Sequence, residues 1–451
     1  MRADVLRCRA QMLARRGLAC LLAAALLLLG VPAGAQAAIQ GDDYVGSTTV
    51  TDRGLNVTQA PAIEARYGIL VDADGNVLWS RGASEHTPIA SITKVMTAIV
   101  ALENGNLEDT YTVSQHAATI GESCIGLATG NQLTLSALLD GLLVHSGNDA
   151  ATAIAEGVAG SEDAFVDLMN EKAASMGLAD THFENPTGLP ADGIYSTASD
   201  VSVMMRYAMH IDLFREIVGK KEVTIEFGGK QHTFKNSNAL LSSWDSCIGG
   251  KTGTTDAAGQ CLASVASQDG YELYAVVLGC TDDVQRYTDS FKLLDWGYAH
   301  CRNYTLATKD DVLVDVPLSG FLNRTVEAGV ADDVNAHVLD YDGNVSIDIK
   351  LVDVPDGVAS GQEVGTIIWR QGDNIVASAP LVAKHGVGAP MPWTSVFTSA
   401  VRLFGVFTGD AGVAQSTVRA QTVTVEMSDD TAGKIMDAKV EKAIRAYLQS
   451  Y

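Results

Sequence analysis

The sequence predicts an α/β (α+β) chain in two folded parts: a larger one in which a mixed sheet is flanked by helices and carries a helical subdomain, then a small all-β sandwich. Two observations predict it. A hairpin pattern, 68–71 and 77–79 around Asp72-Ala73-Asp74-Gly75-Asn76, precedes a mostly helical middle, and strand patterns return at 223–227, 260–267 and 271–278 before a closing helix over 289–300. From Asn303 to Lys384 the pattern changes to short β runs with turn residues, at 312–316, 345–351, 366–369 and 375–379.

Taken in order, the chain opens with Arg2, Arg7, Arg9, Arg15 and Arg16, an apolar run over 18–31, and Ala35-Gln36-Ala37, a small-residue cleavage pattern. Residues 1–37 therefore read as an export signal, 38–62 as a lead-in and 63–301 as the larger domain. The apolar run is too short to favour a retained spanning helix, and Cys20 lies inside it rather than after it, which disfavours a lipoprotein. The expected location is extracytoplasmic, at the cell wall or the outer face of the cytoplasmic membrane.

Three short islands in the larger domain carry the chemistry: Ser91-Ile92-Thr93-Lys94, Ser146-Gly147-Asn148 and Lys251-Thr252-Gly253. Ser-x-x-Lys arises about once by chance in a chain of this length, so its company carries the inference. Pro88 precedes the first island, and Val95, Ile99, Val100 and Leu102 continue as a helical stripe until Asn104-Gly105. On one helical turn a serine and a lysine three residues on share a face. A serine hydroxyl is a poor nucleophile without a base, and Lys94 serves as one if burial and nearby cations lower its pKa, help worth about 10²- to 10⁴-fold. The second island joins two apolar helical runs, 138–144 and 150–158, and offers a hydroxyl to relay protons and an amide to hold a peptide. The third lies among glycines, Gly249-Gly250 before it and Thr254-Thr255-Asp256 after it, and supplies a cation beside an edge strand that a ligand backbone can approach. Singly, these are also a capping serine with a solvated lysine, a helix–helix loop and a glycine-rich hairpin. Together they are the inventory of a serine acyltransferase without a catalytic histidine.

With Asn148-Asp149-Ala150-Ala151, His182-Phe183-Glu184-Asn185-Pro186-Thr187-Gly188-Leu189 and Thr254-Thr255-Asp256-Ala257-Ala258-Gly259 added, the chain resembles the low-molecular-mass penicillin-binding proteins, serine-type D-alanyl-D-alanine carboxypeptidases. The resemblance is strong from Arg66 to Cys301 and looser beyond. It implies a β-lactamase/transpeptidase-like catalytic domain in which Ser91 forms the acyl-enzyme, Lys94 accepts its proton and Ser146 joins the relay. It further implies that Asn148 and Gly253 line the substrate cleft, that Lys251 and Thr252 hold the terminal D-alanine carboxylate, and that the N–H groups of Ser91 and Thr254 form an oxyanion hole. Arg286 resembles a family arginine that reaches the same carboxylate, and a surface salt bridge explains it nearly as well. The implied partners are a peptidoglycan stem peptide ending in D-Ala-D-Ala and β-lactams as covalent inhibitors. A β-lactamase on this fold needs a carboxylate to activate a deacylating water; Glu184 is the candidate, but its loop is carboxypeptidase-like. An endopeptidase acting on crosslinks would use the same machinery, and a wall-binding protein that has lost turnover would need neither Ser91 nor Lys94.

The formal charge of −23 becomes −27 once residues 1–37, with five arginines and one aspartate, are removed. So acidic a chain is not expected to bind nucleic acid electrostatically. Nine histidines form no His-Glu-x-x-His pattern, and no metal or cofactor is expected. Beyond the signal Cys124, Cys247, Cys261, Cys280 and Cys301 remain, an odd set that permits one or two disulfides. Residues 302–388 are the β-rich domain, in which Gly361-Gln362-Glu363-Val364-Gly365 resembles the family's second domain. Over 389–408, Trp393, Val396, Phe397, Ala400, Val401, Phe404 and Phe407 fall at helical spacing, a face suited to the membrane interface or to packing on the β domain. Residues 409–451 form an acidic, helical tail to which no sequence feature assigns a role; Met436, Val440, Ala443, Ile444 and Tyr447 share one side of a helix over 434–448.

Overall fold

The computed structural model describes residues 40–55, 59–354, 357–408, 414–428 and 438–451. The export signal and its cleavage pattern, with Met436, lie outside them. Seven strands make the larger sheet: β1 (Tyr44–Val45), β2 (Thr48–Thr49), β3 (Tyr67–Asp72), β4 (Val77–Arg81), β5 (Cys247–Thr255), β6 (Gly259–Gln268) and β7 (Tyr271–Cys280), in the order β2-β1-β4-β3-β7-β6-β5. The expected α/β class with flanking helices is found, but the sheet is not mixed: every adjacent pair is antiparallel. The reason is connection length. Tight turns join β3 to β4, β5 to β6 and β6 to β7, and a parallel neighbour would need a long crossover.

Both faces of this sheet are buried, which is why its strands read as continuous apolar runs rather than as alternations. Along β7, Tyr274, Val276 and Leu278 enter one core while Leu273, Ala275 and Val277 enter the other, and β3 divides the same way, Ile69 and Val71 against Leu70. Helices α1 (Lys94–Asn104), α2 (Leu135–Val144), α3 (Asn148–Ala159), α4 (Glu162–Ser175), α5 (Ala198–Met209) and α6 (Asp212–Val218) supply the first core. The short α7 (Ala239–Ser243) and the long α8 (Asp283–His300) supply the second. Side-chain caps start the helices where the sequence offers them: Thr134 for α2, Ser161 for α4, Thr197 for α5 and Asp282 for α8 each accept a backbone N–H of the first turn.

The β-rich segment has its own core. Its strands are β8 (Cys301–Ala307), β9 (Val314–Pro317), β10 (Thr325–Gly329), β11 (Val334–Leu339), β12 (Val345–Leu351), β13 (Glu363–Gln371), β14 (Asn374–Ala383) and β15 (Thr417–Val418). A six-stranded sheet, β12-β13-β14-β10-β9-β15, and the pair β8-β11 share that core. Helix α9 (Pro392–Thr408) buries Thr398, whose hydroxyl donates to Gly320 O, and exposes Trp393, Val396 and Phe397. The tail then returns: β15 pairs with β9, and α10 (Ala438–Ser450) buries Val440 and Ile444 in the core beneath α7 and α8. Cys124, Cys247, Cys261, Cys280 and Cys301 are all free thiols, so the disulfides the sequence permits do not form among them.

At the sheet margin Asp43 and Arg81 make a buried bidentate pair, Nε to Oδ1 and Nη2 to Oδ2 both 2.7 Å, while Arg81 Nη1 also donates to Ile63 O and Ala65 O. Burial raises the Asp43 pKa against the pull of Arg81, so the pair stands at a desolvation cost. Arg81→Met, which leaves Asp43 buried without its partner, is expected to destabilise the chain by about 3–5 kcal/mol, and Asp43→Leu added to it to restore part of that loss. Equilibrium denaturation of wild type and the two variants checks this.

Candidate active site

The first island is not quite the helix start that its spacing predicts. Ser91 lies in a 3₁₀ turn, Ala90–Thr93, and α1 begins at Lys94. In a 3₁₀ turn residues i and i+3 eclipse one another, which stacks the two side chains more directly than an α-turn. Lys94 Nζ is 2.8 Å from Ser91 Oγ. Ala90, at φ 48°, holds the turn in left-handed backbone.

Lys94 is fully buried, and its ammonium meets three acceptors: Ser91 Oγ, Asn148 Oδ1 at 2.7 Å and the Thr187 carbonyl at 2.6 Å. Burial drives its pKa down to about 7, against the raising influence of Cys124, Asp149 and Glu122. Near neutrality much of it is therefore amine, which keeps two N–H donors for Asn148 and Thr187 and turns a lone pair to the Ser91 hydroxyl.

Ser146 occupies the turn between α2 and α3 at φ 69°, a left-handed conformation uncommon for serine. It presents Oγ to Lys251 Nζ at 2.8 Å. Lys251, on β5, is also fully buried; its Nζ donates to Thr252 O, and burial, then the charges of Lys94 and Arg286, hold its pKa well below the ordinary lysine value. Thr252 Oγ1 donates to Ser237 Oγ at 2.7 Å. Arg286 reaches across from α8 and donates to Thr254 Oγ1 at 2.9 Å and Gly253 O at 3.3 Å, while Asp283 lies 3.3 Å from its other terminal nitrogen. Arg286 thus has both the cleft position and the salt bridge that the sequence left as alternatives. All nine residues singled out in the sequence meet around one cleft.

The glycine of the third island also has a packing reason. A Cβ on Gly253 would stand 2.6 Å from Ile89 O and 3.2 Å from Ala90 Cβ, so its absence lets the strand close on the serine turn. Gly188, at φ 80°, does the same from the other side: a Cβ there would overlap Ala90 O at 1.9 Å.

Several positioning residues escaped the sequence reading. The buried Asp149 carboxylate accepts the N–H groups of Ile125, Gly126 and Leu127 at 2.9–3.0 Å and so fastens that loop over Asn148. Asn148 donates its amide to Gly121 O. Thr97 Oγ1 donates to Pro186 O and sets the loop that offers the Thr187 carbonyl. The adjacency of Asp149 to the second island was the available signal. For Thr187 there was none, because a backbone carbonyl has no residue signature. Glu184 is exposed and pairs with His182 at 3.1 Å; the loop turns a carbonyl, not this carboxylate, to the lysine.

The D-alanyl-D-alanine carboxypeptidase family profile matches residues 55–282. The chain is 31% identical to the carboxypeptidase DacF of Bacillus subtilis over 340 residues, 73% of this chain and 87% of the relative. It is 37% identical to DacA of Escherichia coli over 347 residues, 72% and 84% respectively. The crystal structure of the carboxypeptidase DacD from Francisella tularensis superposes with a TM-score of 0.58 at 26% identity, covering 74% of this chain and 97% of that one.

The Lys94 pKa sets a pH dependence. With the Lys94 amine as base for acylation of Ser91, the rate is expected to level off above pH about 7 and to fall about tenfold per unit below it. Stability carries the same sign: between about 7 and the ordinary lysine value the unfolded chain binds more protons than the folded one, so the Lys94 contribution rises with pH across that window. Stopped-flow acylation from pH 5 to 9 tests the first statement, and denaturation midpoints for wild type and Lys94→Met test the second.

Proposed function

This chain belongs to the D-alanyl-D-alanine carboxypeptidase family, and on that premise we propose that Ser91, Lys94 and Ser146 carry its serine peptidase chemistry, with Lys251, Thr252, Thr254 and Arg286 as the substrate-holding groups. As a member it is a hydrolase that removes the terminal D-alanine from peptidoglycan stem peptides and binds β-lactams. Ser91 Oγ attacks the carbonyl carbon of the penultimate D-alanine as its proton passes to Lys94 Nζ. The carbonyl electron pair moves onto oxygen, which the N–H groups of Ser91 and Thr254 receive; one such donor is worth about 2.7–4 kcal/mol. Collapse restores the carbonyl and breaks the C–N bond, and a proton delivered through Ser146 lets D-alanine leave as the amine. Its carboxylate rests against Lys251, Thr252 and Arg286. Water then attacks the ester by the reverse proton path and frees Ser91. The observation that carries this reading is Lys94: a dry amine with a pKa of about 7, 2.8 Å from the serine hydroxyl. Slow deacylation makes β-lactams inhibitors, in keeping with the outward-turned Glu184.

We further propose export through the signal at 1–37, with this chemistry acting at the wall. Among the described residues no helix is long and apolar enough to cross a membrane. Helix α9 instead leaves Trp393, Val396 and Phe397 exposed at 57–71%, opposite its buried Thr398, a face suited to lying in the membrane interface.

Ser91→Ala is expected to abolish the β-lactam adduct and to lower D-alanine release by a factor on the order of 10⁴ to 10⁶; intact-protein mass spectrometry with a D-alanine assay decides it, and unchanged hydrolysis rejects the assignment. Replacing Trp393, Val396 and Phe397 together by serine is expected to reduce co-sedimentation with lipid vesicles while hydrolysis of a soluble peptide is unaltered.

A further inference from the structure

The tail beyond α9 reaches the catalytic cleft. Helix α10 docks through Val440 and Ile444, Tyr447 Oη donates to Asn236 O at 2.6 Å, and Lys235 Nζ donates to Ser450 O at 2.9 Å. Beyond the helix, Tyr451 Oη lies 3.2 Å from His145 Nδ1, and the two rings stack with centroids 6.0 Å apart. These contacts fall on both walls at one end of the cleft. His145 immediately precedes Ser146, and Asn236 precedes Ser237, the residue that accepts the Thr252 hydroxyl. This is the end where Lys251, Thr252 and Arg286 gather.

The Tyr451 hydroxyl faces inward although its ring is half exposed. Burial, then the neighbouring Tyr447 and Tyr287, push its pKa up to about 12, with Arg286 pulling the other way, so it stays protonated and lies within the field of that guanidinium. Burial lowers the His145 pKa, which favours the neutral ring, whose Nδ1 can accept a hydrogen bond from the tyrosine hydroxyl. A cavity of about 490 Å³ beside the serine turn, lined by Pro88, Ala90, Gly188, Pro190, Thr255 and Ala257 and by none of the tail, has room for the acyl side of a peptide.

We infer that Tyr451, presented by helix α10 and seated on His145, closes the carboxylate end of the cleft and restricts cleavage to a leaving residue at which the substrate chain ends. The inference rests on the carboxypeptidase reading. A terminal D-alanine places its carboxylate against Lys251, Thr252 and Arg286 and stops there. A chain that continues past the leaving residue runs into the His145–Tyr451 stack, so this tail makes the site an exopeptidase.

The test compares wild type, Tyr451→Ala and Tyr447→Phe in the full chain on two peptides, a diacyl-D-Ala-D-Ala and the same peptide extended by one glycine, with kcat/KM measured for each and β-lactam acylation measured in parallel. Tyr447→Phe keeps the ring and removes the hydroxyl that bonds Asn236 and interacts with Ser242, so it guards against a folding defect. The expected result is that wild type strongly prefers the terminated peptide, and that Tyr451→Ala raises the extended-to-terminated ratio about tenfold, and Tyr447→Phe less, with acylation by the β-lactam unchanged. A purely structural role would lower both peptides together. An unchanged ratio in Tyr451→Ala, or a wild type that cleaves both peptides equally, overturns this inference alone. A wild type that is acylated by the β-lactam yet releases no D-alanine overturns the carboxypeptidase reading as well.

Discussion

An alkylammonium ion withdrawn from water loses several kcal/mol of hydration, and the cleft of this protein is arranged around that cost at Lys94. Its three acceptors come from three stretches of chain far apart in sequence: Ser91 from its own turn, Asn148 from the start of α3 and Thr187 from the loop before α5. Each acceptor must be delivered to within hydrogen-bonding distance, and most of the surrounding structure does that delivering. Asp149 fastens a loop over Asn148, and Thr97 sets the loop that carries Thr187. The same burial that threatens stability brings the amine to a pKa of about 7, where it can take a proton. Chemistry and instability thus have one source.

The second constraint is steric. A left-handed turn at Ala90 stands between Gly188 and Gly253, and neither position admits a Cβ without overlapping backbone atoms of residues 89–90. Backbone packed against backbone leaves the serine turn nowhere to relax, so Ser91 holds its angle to Lys94 and to the strand edge. Ser146 adds a further strained residue, held by α2 on one side and α3 on the other. Strain at these points is sustained by two deep cores, one on each face of the antiparallel sheet.

The tail ties the parts together. After α9 the chain adds an edge strand to the β-rich sheet, where Arg419 pairs with Asp315, and then crosses to the catalytic domain as α10. The tail therefore touches both the β-rich sheet and the rim of the cleft. Through His145 and Asn236 it abuts the neighbours of Ser146 and of Ser237, the partner of the Thr252 hydroxyl.

The three islands, the family resemblance and the α/β class with a β-rich follower were legible because chemistry of this kind needs particular side chains at short, fixed spacings, and apolar periodicity reports burial locally. Ser91 and Lys94 are three apart, so one turn of any helix joins them, and the sequence determined that pairing by itself. Strand direction, by contrast, depends on which runs become neighbours, and only the assembled sheet made it antiparallel. The packing of Gly253 was hidden for a similar reason: a glycine announces close approach, but what approaches it, here Ile89 and Ala90, comes from over 160 residues away in the chain. Thr187 acts through a carbonyl that every residue possesses. The tail's amphipathic stripe showed that Val440, Ile444 and Tyr447 share a face; the partner of that face, beneath α7 and α8, was decided by tertiary packing alone, because apolar burial is non-directional and an amphipathic pattern specifies a buried side without specifying against what.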